Sequence, residues 1–338
     1  MMKIVPLALL GCATMCFAQQ VPIAPDAEFR TAMAWAFPLN PAPDPRAPAP
    51  DMHKPLHVPG SRRTYTRAQY AGMLGAPDWF PQDHPPMPQI VARGRAPAWA
   101  CAFCHQPNGQ GRPENATLAG LPVAYIVEQV HAFRSGERNG RQLLSVQLMA
   151  SEARQLSDSD LRLAADYFAR LTFISRTKVI ETATVPKTHW AHFMLAPDPS
   201  GVREPIGSRI IEVPTNMELT ELRDTRSGFV AYVPPGSIAR GAVIAAKGQG
   251  AAPACESCHG ANLQGAGIIP PLAGRSPTYI ARELILFRTG KRSNPEAAPM
   301  RLEASQLNIK DMIDVAAYAA SQKPGVPRAA APATEKNR

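Results

Sequence analysis

Cys101-Ala102-Phe103-Cys104-His105 and Cys255-Glu256-Ser257-Cys258-His259 are the two stretches on which the reading of this chain turns. Both spell CxxCH, and the likeness extends well past the motif. A shift of 154 residues, which carries Cys101 onto Cys255, also carries Asn108 onto Asn262, Gly111 onto Gly265 and Leu118-Ala119-Gly120 onto Leu272-Ala273-Gly274. It continues through Tyr125 and Tyr279, Phe133-Arg134 and Phe287-Arg288, Gly136 and Gly290, and Arg138 and Arg292. After a three-residue deletion the shift becomes 151, pairing Met149 with Met300, Leu156 with Leu307, Asp160 with Asp311 and Tyr167 with Tyr318. Self-similarity of this extent marks one structural unit written twice.

The units carry the same helical pattern. Ile126, Val130 and Phe133 follow the i, i+4, i+7 spacing of one buried face, and Ile280, Leu284 and Phe287 repeat it. A second helix is predicted to begin after Ser157 in one unit and Asn308 in the other, both good caps with Asp three positions on. Its buried stripe reads Leu161, Ala165, Phe168, echoed by Met312, Ala316, Ala319. Ahead of the second motif a helix is expected over 237–246, whereas ahead of the first, Gly94 and Pro97 cut a helix short after 90–93. The fold class is therefore mostly α, with units over 90–172 and 236–323.

Three regions fall outside the repeat. Residues 19–89 hold 15 of the chain's 36 prolines and read as an extended arm, draped over the surface or partly disordered. Residues 173–235 contain Ile210-Ile211-Glu212-Val213 and Phe229-Val230-Ala231-Tyr232-Val233, which predict short strands, including a hairpin. The segment 324–338 is an Ala/Pro-rich tail expected to be mobile. At the start, Lys3, the apolar stretch 4–17 and Cys16-Phe17-Ala18 predict an export leader over 1–18, cleaved near Ala18. That stretch is shorter than the roughly 20 residues of a spanning helix and is broken by Pro6 and Gly11, so no transmembrane segment is predicted.

Six cysteines are present; Cys12 and Cys16 leave with the leader, and the remaining four all lie in the two motifs. None is spare for a disulfide. The net charge of +9 is spread thinly along the chain, which excludes a nucleic-acid footprint concentrated on one element.

CxxCH has a direct chemical reading. Two thiols three positions apart can each add to one vinyl group of a haem, and the adjacent histidine reaches the iron from the same loop. The competing reading is a zinc site, because CxxC pairs also suit tetrahedral sulfur ligation. Against zinc stand the immediate histidine, the duplicated setting and the export leader. Met149 and Met300, at matching positions just before the last helix of each unit, are candidates for the second axial ligand; core methionine is the bland alternative. His84, Met87, His131, His189, His192 and Met194 have no counterpart in the other unit. Arg138 and Arg292 could pair with haem propionates or lie in solvent, and Tyr125 and Tyr279 could hydrogen-bond near a haem or simply pack.

The order CxxCH, Leu-Ala-Gly, Tyr, Phe-Arg-x-Gly-x-Arg, Met and a closing helix with Tyr resembles class I cytochrome c, and in duplicate the soluble diheme cytochromes c of bacterial periplasms. The resemblance implies two covalently bound haem c groups, His105 and His259 as proximal iron ligands, and Met149 and Met300 as distal ones. It implies a periplasmic carrier that exchanges electrons with a donor and an acceptor protein, without a catalytic residue; association with a membrane-bound redox complex stays open. So do a diheme enzyme, such as a peroxidase or a sulfur-compound dehydrogenase, and a dedicated electron-transfer subunit of a larger oxidoreductase.

Overall fold

A computed structural model describes residues 27–37, 49–140, 144–191 and 194–325. The leader, most of the proline run over 41–50, His192 and all but the start of the tail lie outside the described residues. Among the described residues, no helix is long and apolar enough to cross a membrane.

Helices repeat in the same order. The first set is Gln89–Ala92, Cys101–His105, Val123–Ser135, Leu144–Gln155 and Asp158–Ala169. The second is Ser237–Lys247, Cys255–His259, Pro277–Arg288, Ala298–Ser305 and Ile309–Ser321. Local chemistry sets their starts. Ser157 Oγ accepts the Asp160 amide at 3.1 Å. Asn308 accepts the Asp311 amide at 2.8 Å while Asp311 accepts the Asn308 amide at 3.1 Å, so two orphan donors are satisfied reciprocally. The expected faces are buried: Ile126, Val130, Phe133, Leu161, Ala165 and Phe168 in one set, and Ile280, Leu284, Phe287, Met312, Ala316 and Ala319 in the other.

The opening helices differ as their sequences require. Gln89–Ala92 is one turn long, while Ser237–Lys247 runs eleven residues and lies directly on Ile309–Ser321. Gly241 makes that crossing close, because a Cβ there would collide with the Asp314 carbonyl oxygen. Met149 and Met300 precede the last helix of each unit, each within a short helix of its own, Leu144–Gln155 and Ala298–Ser305.

Between the units, Phe229–Val233 is the centre of a three-stranded sheet, antiparallel to Ile211–Pro214 and parallel to Thr177–Glu181. Two further strand pairs, Thr184–Pro186 with Arg203–Pro205 and Thr188–Ala191 with Met194–Pro197, extend the connection. Val185, Ile206, Ile211 and Val213 give it a small core of its own.

The arm departs from the expectation of an extended or partly disordered segment. Ala27–Ala36 is helical, and Ala32, Ala36 and Phe37 are buried in the core of the second unit beside Ile280 and Leu284. Further on, Leu56, Val58, Trp79 and Phe80 form a separate cluster against Leu219 and Leu222 of the connection. Proline density argues against long helices there, but burying large apolar side chains, worth about 1.5–3 kcal/mol each, does not need them.

Candidate functional site

Each CxxCH motif forms one helical turn, entered from an extended alanine (Ala100 or Ala254). The residue after the histidine leaves the helix through a positive φ, 75° at Gly260 and 64° at Gln106. Glycine meets that requirement without strain, whereas glutamine does not.

The histidines are fixed alike. His105 Nδ1 donates to the Ala116 carbonyl at 2.8 Å and His259 Nδ1 to the Pro270 carbonyl at 2.9 Å. A carbonyl can only accept, so the proton is on Nδ1 and the Nε2 lone pair is left for a metal. Burial holds both imidazoles below the ordinary histidine pKa, which keeps them neutral. The Phe168 ring meets the His105 ring edge-on at 6.3 Å.

Burial acts on the thiols in the opposite sense. It pushes Cys101 up to about 12 and Cys255 to about 11, and raises Cys104 as well. These are neutral thiols, all free of disulfides. A zinc site needs thiolates and further ligands, yet among the described residues no group of three or more His, Cys, Asp or Glu side chains is arranged to hold a metal ion. Two thiols beside a neutral histidine with a free Nε2 fit covalent haem instead.

Met300 and Cys255 are half-buried against the same core, that of the second unit. Met149 packs on Val130, Phe133, Ala153 and Leu161, a cluster that shares Val127 and Leu156 with the one holding Cys101. The remaining candidates are engaged elsewhere. His84 uses Nε2 toward Asp78 at 3.1 Å and Nδ1 toward the Tyr167 hydroxyl at 3.1 Å. Met87 packs on the first unit's core, His131 lies 3.9 Å from Asp158, His189 sits on a strand of the connection and Met194 is buried.

Arg138 and Arg292 are buried rather than solvated, and they meet each other across the seam between the units through a main-chain bridge. The carboxylate they hold is that of Glu283: Arg138 Nη2 donates to it at 2.9 Å and Arg292 Nη1 at 2.7 Å. Both also donate to Gln129 Oε1, and Arg138 donates to the Tyr279 hydroxyl at 3.0 Å. Each guanidinium lies over a phenylalanine of its own unit, Arg138 on Phe133 at 4.5 Å and Arg292 on Phe287 at 4.0 Å. Gln129 and Glu283 stand at the same place in the repeat.

Other seam contacts have no repeat signature. Arg275 of the second unit donates to the Thr117 and Ala119 carbonyls of the first at 2.9 and 3.0 Å. Arg282 donates to the Pro113 carbonyl at 2.9 Å and to Ala36 of the arm, and lies 4.0 Å from Glu114, whose carboxyl burial pushes up to about 7.

Comparison with known proteins adds an independent line. The cytochrome c family model matches residues 238–323. Cytochrome c4 of Pseudomonas aeruginosa is 37% identical over 235 residues, which cover 68% of this chain and 86% of that protein. Cytochrome c4 of Azotobacter vinelandii is 26% identical over 238 residues, covering 68% and 87%. A thiosulfate dehydrogenase electron acceptor of Thiomonas intermedia is 26% identical over 229 residues, covering 67% and 79%.

Proposed function

The chain belongs to the cytochrome c4 family of diheme class I cytochromes c, an electron carrier with two covalently bound haem c groups, and from that premise we propose how its residues serve electron transfer. Cys101 and Cys104 attach one haem through thioether bonds, and Cys255 and Cys258 attach the other. His105 and His259 ligate iron through Nε2, and Met149 and Met300 complete the two coordination spheres. When bound, haem iron supplies the reversible one-electron change, and Met/His ligation raises its potential. The two haem domains are 90–172 and 236–323. The observation that carries this reading is the paired Nδ1-to-carbonyl hydrogen bond, which frees the same nitrogen at both motifs.

Arg138 and Arg292 brace the seam between the domains, with Glu283 as their shared carboxylate. The export leader read over 1–18 supports a periplasmic mature protein, with redox proteins as donor and acceptor. Similarity to a thiosulfate dehydrogenase electron acceptor supports a periplasmic dehydrogenase as the donor.

Mass spectrometry and a pyridine haemochrome assay of the matured protein test attachment; two haems per chain are expected. Met149→Leu and Met300→Leu are each expected to remove one half of the sulfur-to-iron charge-transfer band. A band untouched by either substitution would reject that methionine as a ligand. A wild-type haem that is high-spin, or that turns over peroxide rapidly, would reject the filled coordination sphere.

A further inference from the structure

The two attachment turns differ in what lies against them. In the first unit, the Arg223 guanidinium from the connection stacks on the ring of Phe103, the residue between the cysteine pair and one position before Cys104, at 3.8 Å. The Tyr70 ring of the arm lies 4.7 Å from the same guanidinium, and the Tyr70 carbonyl accepts from Arg223 Nη1 at 3.3 Å. Among the described residues no carboxylate forms a salt bridge with Arg223, and its Nε is buried without a hydrogen-bond partner..

The backbone gives a second, independent sign. Arg223 follows the short helix Met217–Glu221 and closes it with φ 55°, its amide donating to the Thr220 carbonyl at 3.0 Å and that of Asp224 to Leu219 at 3.0 Å. Glycine is the residue that takes this left-handed position without penalty, and a side chain held there costs about 1–2 kcal/mol. Such strain points to a task for the side chain. At the place of Phe103 in the second unit stands Ser257, exposed to solvent.

We propose that Arg223 is a positioning residue that holds a partly buried positive charge against the first attachment turn and so raises the reduction potential of the haem bound at Cys101 and Cys104. A nearby cation disfavours the more positive ferric state, and it does so more strongly where water is excluded. Among the described residues no guanidinium stacks on the second turn, so Arg223 makes two otherwise similar sites unequal and biases the electron toward the first.

Spectroelectrochemical titration of the full holoprotein tests this, with haem-methyl NMR signals assigned to each unit through their proximity to Phe103 or Ser257. Arg223→Gln is expected to shift the ferrous-to-ferric balance of the first haem about tenfold toward ferric, a fall of about 59 mV for one electron. The second haem should stay within its wild-type value, and Arg223→Lys, which keeps the charge without the planar stack, should restore most of the shift. An equal fall in the Gln and Lys variants would show that stacking and cover, not charge, matter and would overturn the proposal; so would an unmoved potential in Arg223→Gln. The inference rests on haem attachment at Cys101 and Cys104. A wild-type mass short of one haem would therefore fail that reading itself, whereas two haems with an unmoved potential would fail only the role of Arg223.

Discussion

The first attachment turn is enclosed by the chain's own irregular segments, while the second faces outward. Ala98, Ala100 and Ala102 are buried around the first turn, and the Ala100 amide donates to the Met73 carbonyl of the arm at 2.9 Å. Trp79 Nε1 reaches the Leu222 carbonyl at 2.6 Å, the Arg226 guanidinium grips Asp83 at 2.7 Å, and Asn108 Nδ2 donates to the Thr225 carbonyl at 3.2 Å. Around the second turn Ser257 and Cys258 are exposed, and Ile268 on the loop beyond it is 67% exposed. Glu114, at the same repeat position as Ile268, is only 6% exposed because Arg282 of the second unit lies against it. The opening helices explain part of the contrast. The second unit has eleven residues of helix packed on its last helix, whereas the first has one turn, with Ala76 and Met87 of the arm packed on its core. A repeat thus dictates the fold of each unit, and the non-repeated chain dictates its surroundings.

The largest way to break this contrast is Trp79→Ala. The side chain is 1% exposed and tethers the arm to the connection, so its removal is expected to cost about 3–5 kcal/mol. Chemical denaturation should show the loss in the first unit's transition, with protease cleavage appearing near residues 216–226 and the second unit unmoved. Cleavage confined to the second unit would mean that Trp79 does not hold the cover in place.

Next in size is Glu283→Gln, which makes the seam symmetric with Gln129. Two buried guanidiniums lose their shared carboxylate, and about 3 kcal/mol of stability should go with it. Burial pushes the Glu283 carboxyl up, but the charges of Arg138 and Arg292 outweigh it and hold the group below the usual range. A depressed folded pKa gives stability that is present above the unfolded value, roughly 4.3, and is lost as pH falls through the folded one. The wild type should therefore lose more stability than Glu283→Gln when denaturation is repeated below about pH 4. Parallel profiles would remove Glu283 from the acid response.

The residues that were legible in sequence share one property: their partners are local or repeated. CxxCH, the Ser157 and Asn308 caps and the buried faces of Val123–Ser135 and Pro277–Arg288 all follow from spacing within a single element. Trp79 and Arg223 were not legible because their partners lie over a hundred residues away in segments without periodicity. Prolines dominated the arm's composition and hid the helix Ala27–Ala36, whose small Ala32 and Ala36 make a weak apolar stripe. Arg138 and Arg292 were marked by their repetition, but the group they hold depended on Glu283, the one place where the repeat exchanges an amide for a carboxylate.

Gly241→Ala sharpens the comparison from the other side. Its Cβ would strike the Asp314 carbonyl and the Tyr318 side chain, forcing the two helices apart at about 2 kcal/mol, an overpacking cost with no counterpart in the first unit. Only the second unit's transition in a denaturant series should move; a shift in the first as well would show that the seam transmits the strain.

The smallest expected effect concerns how firmly the cover is held as pH changes. His84 joins the arm to the first unit, with Asp78 on one ring nitrogen and the Tyr167 hydroxyl of the last helix on the other. Burial pulls its pKa down, but the hydrogen bond to Asp78, the Pro85 carbonyl and the charges of Asp78 and Asp83 outweigh that and leave it raised. A raised histidine pKa contributes stability that is complete below the unfolded value, roughly 6.5, and is lost as pH rises through the folded one. Solvent screening of this partly buried pair limits the contribution to about 1 kcal/mol. Hydrogen exchange of residues 78–84, corrected for the intrinsic pH dependence of exchange, should therefore quicken as pH rises above the unfolded value, roughly 6.5. His84→Gln should flatten that change while leaving exchange around Ser257 as it was. If the variant retains the wild-type pH dependence, the cover is held by Trp79 and Arg226 alone, and the first turn stays closed at every pH at which the protein is folded.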